Sequence, residues 1–140
     1  MLTKYLDKAL NWLPPTRSPK WSKLLVWLAV GNAILLLLTR VILGVSITIG
    51  SVTGFLIISS IISVFLIPGY FGYSRYALGI FSGIAIGHLY MFTQVLFSAD
   101  KSWTDLTSIF SFLSMVVLGI MAGLLAQILD SLITQENDKP

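Results

Sequence analysis

The chain has 140 residues, of which 56% are hydrophobic and 11% are charged, and it contains no cysteine. Its mean hydropathy is +0.88. Soluble domains carry about 25% charged residues, so this composition excludes an ordinary water-soluble domain and indicates a protein whose solvent is the lipid bilayer. The lack of cysteine excludes disulfides and cysteine-ligated metals, and a formal net charge of +3 is too small to predict a nucleic-acid partner.

The first element predicted in chain order is a short amphipathic helix within residues 1–15. When each residue advances by about 100°, the apolar side chains fall on one arc and the polar side chains on the other. Because the segment is too short to span a bilayer and is ended by two prolines, we expect it to lie flat in the membrane interface. Lys4 and Lys8 would then face lipid headgroups, and Trp12 would lie among the acyl chains. A helix docked on a partner protein is the alternative.

Four longer apolar stretches follow in residues 16–133. A helix needs about 20 apolar residues to cross the hydrocarbon core, and we predict spans at 21–39, 47–67, 76–97 and 106–129. The connections are short, which predicts that consecutive helices are antiparallel neighbours. The predicted fold class is therefore all-α: a polytopic integral membrane protein with four transmembrane helices and a short interfacial helix, followed by a polar tail at 134–140.

The distribution of lysine and arginine predicts the orientation of the chain. If the N-terminus is inside, only Arg40 and Lys101 lie outside, and seven basic residues lie inside: Lys4, Lys8, Arg17, Lys20, Lys23, Arg75 and Lys139. Such an excess follows the positive-inside rule. It predicts a multi-pass protein of a bacterial cytoplasmic membrane or a similar membrane, with both termini cytoplasmic. Trp21 and Tyr76 are expected in the aromatic belt at the inner interface.

Glycines recur at four-residue spacing in three of the four spans. Residues four apart lie on one ridge of a helix, and in lipid such ridges let two helix backbones approach closely. The glycines are Gly50 and Gly54 in the second span, Gly79, Gly83 and Gly87 in the third, and Gly119 and Gly123 in the fourth. We predict that the third span packs tightly on the fourth, on the second, or on another copy of itself. A homo-oligomeric interface around a pore is the sharper alternative.

Polar residues at membrane depth are few, and each is costly enough to be a functional candidate. His88 is the only histidine. It can ligate a tetrapyrrole metal with room for a flat ring beside Gly87, relay protons, or simply hydrogen-bond to a serine or carbonyl of a neighbouring helix. Asn32 is expected to bond another helix, with Gln94 as one partner to consider. Hydroxyl side chains form stripes in the second and fourth spans.

The sequence carries no catalytic motif and no phosphate-binding loop, so we do not expect an enzyme and assign no cofactor. The favoured interpretation is a small accessory, assembly or organising factor for a membrane complex. Its partners would be the lipid bilayer and other membrane proteins or copies of itself. A small homo-oligomeric channel or transporter is the second hypothesis. A pigment- or haem-binding subunit that uses His88 is the third.

Overall fold

A computed structural model describes residues 10–97 and 101–137 of the chain. Its helices are α1 (Lys20–Leu43), α2 (Ile49–Val64), α3 (Ile67–Tyr70), α4 (Ser74–Phe97) and α5 (Lys101–Asn137). Within these residues, four segments are long and apolar enough to cross a membrane: α1, α2 together with α3, α4, and most of α5. The predicted fold class, an all-α polytopic membrane protein with four spans, is confirmed. Most of the predicted amphipathic N-terminal helix lies outside the described residues.

The helices form two antiparallel hairpins. The contact between α4 and α5 is the most extensive, that between α1 and α2 is the next, and α1 also touches both α4 and α5. The end of α1 and the start of α2 lie at the same end of the bundle as the end of α4 and the start of α5, and we call it the hairpin end. The end that carries α3 and the connector before α1 is the terminal end. In the central window of α4, 39% of the residues are buried, against 22% in α1 and α5. Helix α4 is therefore the most enclosed of the four spans.

Helix α1 continues past its predicted end at residue 39. Arg40, which we predicted to lie outside the first span, is part of the helix, and its guanidinium pairs with Asp105 of α5. The helix ends instead at Gly44, whose φ is 72° and whose N–H donates to the carbonyl oxygens of Arg40 and Val41. This left-handed cap is the conformation for which glycine is preferred.

The second span is divided into two helices and continues through α3 to Tyr70, three residues past its predicted end at residue 67. Helix α2 stops at Val64, and Pro68 lies in the first turn of the short α3, where the missing N–H of proline needs no partner. At the other end of α2, Thr48 and Ser51 form a reciprocal capping box. The chain therefore forms one separate helical turn, α3, between α2 and α4.

Helix α5 is longer at both ends than the predicted span 106–129. It has 37 residues, which at a rise of about 1.5 Å per residue exceed a hydrocarbon core about 30 Å thick. Its terminal end includes residues 134–137, where we predicted a polar tail. Glutamine and glutamate are good helix formers, so the helix continues where the apolar run has stopped.

Trp21 is buried inside the protein at the terminal end of the bundle. We expected it in an interfacial belt, and this expectation is wrong: its side chain is only 2% exposed, and its Nε1 donates to the carbonyl oxygen of Pro15 at 3.1 Å. Gly69 makes the space, because a Cβ there would lie 2.6 Å from Cη2 of Trp21. Tyr76 is buried too, at 6% exposure. Trp21 thus contacts both the connector, at Pro15, and α3, at Gly69.

Candidate functional site

The glycines of α4 and α5 lie against each other along the second hairpin. A Cβ built on Gly83 would lie 2.8 Å from the carbonyl oxygen of Met115 and 2.9 Å from Cα of Gly119. A Cβ on Gly79 would collide with the backbone of Gly123, and one on Gly123 would lie 2.6 Å from the carbonyl oxygen of Tyr76. Real Cβ atoms do not approach backbone this closely, so only glycine permits this spacing of the two helices.

Gly50 and Gly54 of α2 take no part in such packing within the described chain. No described atom beyond the local helix lies within 4 Å of a Cβ placed on Gly54, and only the capping hydroxyl of Thr48 approaches one on Gly50, at 3.8 Å. The structure thus brings five of the seven predicted packing glycines together in one interface. It leaves the other two on an open face of α2.

His88 is buried in the hairpin end of the bundle, with 7% of its surface exposed. Its Nδ1 lies 2.9 Å from the carbonyl oxygen of Ile84, one turn earlier in the same helix. Its ring meets that of Phe112 edge to face, with centroids 4.5 Å apart. Nε2 is buried and has no hydrogen-bond partner among the described residues. The hydrogen bond is therefore made within α4, and not to a neighbouring helix.

The space beside Gly87 is filled by Phe112. A Cβ on Gly87 would lie 2.9 Å from Cδ2 of Phe112 and 3.1 Å from its carbonyl oxygen. A flat macrocycle beside Gly87 would therefore have to displace the ring of Phe112. Within the described residues, no three histidine or carboxylate side chains lie close enough together to hold a metal ion. The residues around His88 pack the interior of the bundle.

Asn32 links the two helices of the first hairpin. Its Nδ2 donates to Oγ of Ser59 at 3.1 Å, and both side chains are buried. The carboxamide oxygen Oδ1 accepts no hydrogen bond from the described residues. Gln94, which we considered as a partner, lies instead beside Thr93 and Thr107 in a small recess at the hairpin end.

Arg40 and Asp105 form the polar contact that the sequence did not reveal. The two side chains are 22% and 19% exposed and join α1 to α5 across 65 residues. Phe55 of α2 lies under the guanidinium, 6.0 Å from its ring centroid. Removing one partner of an ion pair that is largely withdrawn from water is costly, because the other charge is left without compensation. The one signal in the sequence was that both residues were predicted at the same end of the bundle.

A second ion pair lies at the terminal end. Arg75 at the start of α4 contacts Asp130 of α5 with 2.6 Å between Nη2 and Oδ1, and both side chains are more exposed, at 40% and 34%. The antiparallel packing of α4 on α5 brings Arg75 to the level of Asp130.

The hydroxyl stripes of α2 and α5 bond mainly to their own helices. Each donates to a carbonyl oxygen three or four residues earlier: Thr53, Ser60, Ser63, Thr107, Ser108 and Ser114. Such back-bonding satisfies a hydroxyl donor without any water. These contacts supply no support for a water-filled path.

The predicted membrane-surface residues are only partly described. Trp12 is 93% exposed, whereas Lys4 and Lys8 lie outside the described residues. Comparison of the chain with protein-family models, with curated proteins and with solved structures finds no match.

Proposed function

We propose that the chain is a non-enzymatic membrane protein that serves as an accessory, assembly or organising factor for a larger membrane complex. The observation that carries this proposal is the open glycine face of α2, which comprises Gly50, Thr53, Gly54, Ile57 and Ile61. Helical spacing places these residues on one side of α2. Thr53, Ile57 and Ile61 are exposed, and the two glycines meet no other helix of the described chain.

A small-residue face has a specific use in lipid. Because hydrocarbon chains solvate apolar side chains well, helices associate through close backbone contact and not through the hydrophobic effect. Two of the three glycine ridges of this protein are occupied by each other in the α4–α5 hairpin. The ridge on α2 is open, and the helix of another membrane protein is the occupant we propose for it.

We further propose that both termini face the cytoplasm and that the membrane is a bacterial cytoplasmic membrane or a similar one. The charge distribution supports this orientation. Arg17, Lys20, Lys23 and Arg75 lie at the terminal end, against Arg40 and Lys101 at the hairpin end. The positive-inside rule counts such short-loop charges. The interfacial role of the N-terminal segment stays a prediction.

To test this, the gene for the chain is deleted from the cell that makes it. Membrane complexes are then separated by native electrophoresis and quantified by mass spectrometry. We expect one complex to disappear or to accumulate as a partial assembly. Wild-type chain should restore it, and Gly54→Leu should not. Gly31→Leu is the matched control, since a Cβ on Gly31 also meets no described atom within 4 Å but no glycine lies four residues away. Membrane complexes that are identical with and without the chain would contradict the proposal.

A further inference from the structure

A groove runs along the surface of the second hairpin between α4 and α5. Its volume is about 500 Å³. Ser82 and Ile86 of α4 form one wall, Leu118, Ala122 and Ala126 of α5 form the other, and Arg75 lies at one end. The small side chains on the α5 wall leave the groove open to the membrane.

The groove is suited to an apolar ligand along most of its length. The hydroxyl of Ser82 already donates to the carbonyl oxygen of Leu78 at 2.9 Å, and the other side chains between its ends are apolar. From residue 75 to residue 86 the groove runs for about 16 Å at the rise of an α-helix. One leaflet of a hydrocarbon core about 30 Å thick has the same depth. An extended acyl chain fits both the chemistry and the length.

The charged end of the groove selects the headgroup. Arg75 contacts Asp130 through Nη2, and its side chain is 40% exposed. A guanidinium has five N–H donors, so most of them remain for an oxyanion, and planar guanidinium groups suit phosphate well. We propose that this groove binds an acyl chain of one anionic phospholipid from the leaflet at the terminal end, with its phosphate at Arg75. The proposal does not depend on the accessory role.

A second copy of the chain suits the groove less well. A symmetric dimer uses the same patch on both subunits. Two chains with the same membrane orientation would therefore bring two Arg75 side chains to the same depth at one interface. The phosphate of a lipid, by contrast, carries a negative charge that would attract the positively charged Arg75.

Native mass spectrometry of the full chain tests the proposal with phosphatidylglycerol and phosphatidylcholine of identical acyl chains. We expect one phosphatidylglycerol to bind about fivefold more tightly than phosphatidylcholine, the effect typical of one basic residue on an anionic lipid. Arg75→Gln should abolish this preference. Lys23→Gln, which removes one exposed charge at the same end but outside the groove, should keep it. Asp130→Asn distinguishes a lipid contact of Arg75 from a purely structural ion pair. It removes the carboxylate that pairs with Arg75, so the preference for phosphatidylglycerol should stay the same or increase.

The apolar part of the groove is tested by filling it. Ala122→Leu should lower the binding of both lipids severalfold, whereas Ala85→Leu, at an exposed alanine of α4 outside the groove, should not. Equal binding by these two variants, or the same loss in Asp130→Asn as in Arg75→Gln, would overturn the proposal. Because the chain has no cysteine, Ala122→Cys introduces a unique thiol. Its efficient oxidation to a disulfide-linked dimer in membranes would show that a second copy fills the groove, and would also overturn the proposal.

Discussion

Arg40 of α1 donates from Nε and Nη2 to the same carboxylate oxygen of Asp105 in α5, at 3.0 and 2.9 Å. This ion pair joins the first hairpin to the second at the hairpin end, and Phe55 of α2 flanks it. The other oxygen of Asp105 is buried and accepts no hydrogen bond from the described residues. One arginine side chain thus connects three helices.

Breaking this pair should destabilise the bundle. Arg40→Gln and Asp105→Asn each leave one charged group half-buried without its partner, and hydrogen bonds to charged groups contribute about 1.5–3 kcal/mol. We expect each single variant to lose stability of that order and the double variant to lose less than the sum. Denaturant unfolding in detergent micelles measures the four free energies of unfolding. Strictly additive losses would show that the two residues do not interact.

The sequence predicted the spans because their signal is local: about 20 apolar residues must be helical to cross a bilayer. It predicted less about which helices meet. The partnership of Asn32 with Ser59 and the pairing of Arg40 with Asp105 depend on tertiary packing, and no local pattern encodes either. Trp21 was misassigned for the same reason, since its burial requires the space above Gly69, which lies on a distant helix.

The glycine ridges show the same division. Spacing alone marks all three ridges equally, and it cannot distinguish Gly83, which faces Gly119, from Gly54, which faces open space. The sequence therefore identified the glycines of the candidate site as packing residues, but it did not identify the helix that each glycine contacts.

Gly83→Leu should destabilise the α4–α5 hairpin, whereas Gly54→Leu should leave the stability of the isolated chain unchanged. A side chain at Gly83 collides with the backbone of α5, and overpacking of this kind costs about 1–3 kcal/mol. At Gly54 it meets no described atom beyond the local helix. Thermal unfolding of the purified variants in one detergent compares them. Equal melting temperatures of Gly83→Leu and wild type would mean that α4 and α5 do not pack in this way.

His88→Phe should be nearly neutral, and His88→Ala should be destabilising. Phenylalanine keeps a ring against Phe112 and removes the buried, unpartnered Nε2. It also removes the contact of Nδ1 with the carbonyl oxygen of Ile84, but that oxygen still accepts the helical N–H of residue 88, so no buried group loses its last partner. Alanine leaves a cavity that costs about 3–5 kcal/mol for an aromatic ring. Unfolding free energies distinguish the two variants. Visible absorbance in the wild type that disappears in both would instead make His88 a pigment ligand and contradict its packing role.

The Asn32–Ser59 hydrogen bond should contribute modestly to the first hairpin. Side-chain hydrogen bonds between membrane helices average about 0.6 kcal/mol in double-mutant cycles. Asn32→Ala and Ser59→Ala, alone and together, should give a coupling energy of about that size, because the donor and acceptor are 3.1 Å apart. Zero coupling would indicate that the two polar groups are satisfied separately.

The most direct test of the accessory role is the mass and composition of the particle extracted from membranes in a mild detergent, for the wild type and Gly54→Leu. We expect the wild-type chain to be extracted with a defined set of other membrane proteins in fixed stoichiometry. We expect Gly54→Leu to be extracted without them, although its own fold is intact. A wild-type particle made only of copies of this chain, unchanged in Gly54→Leu, would contradict the accessory role.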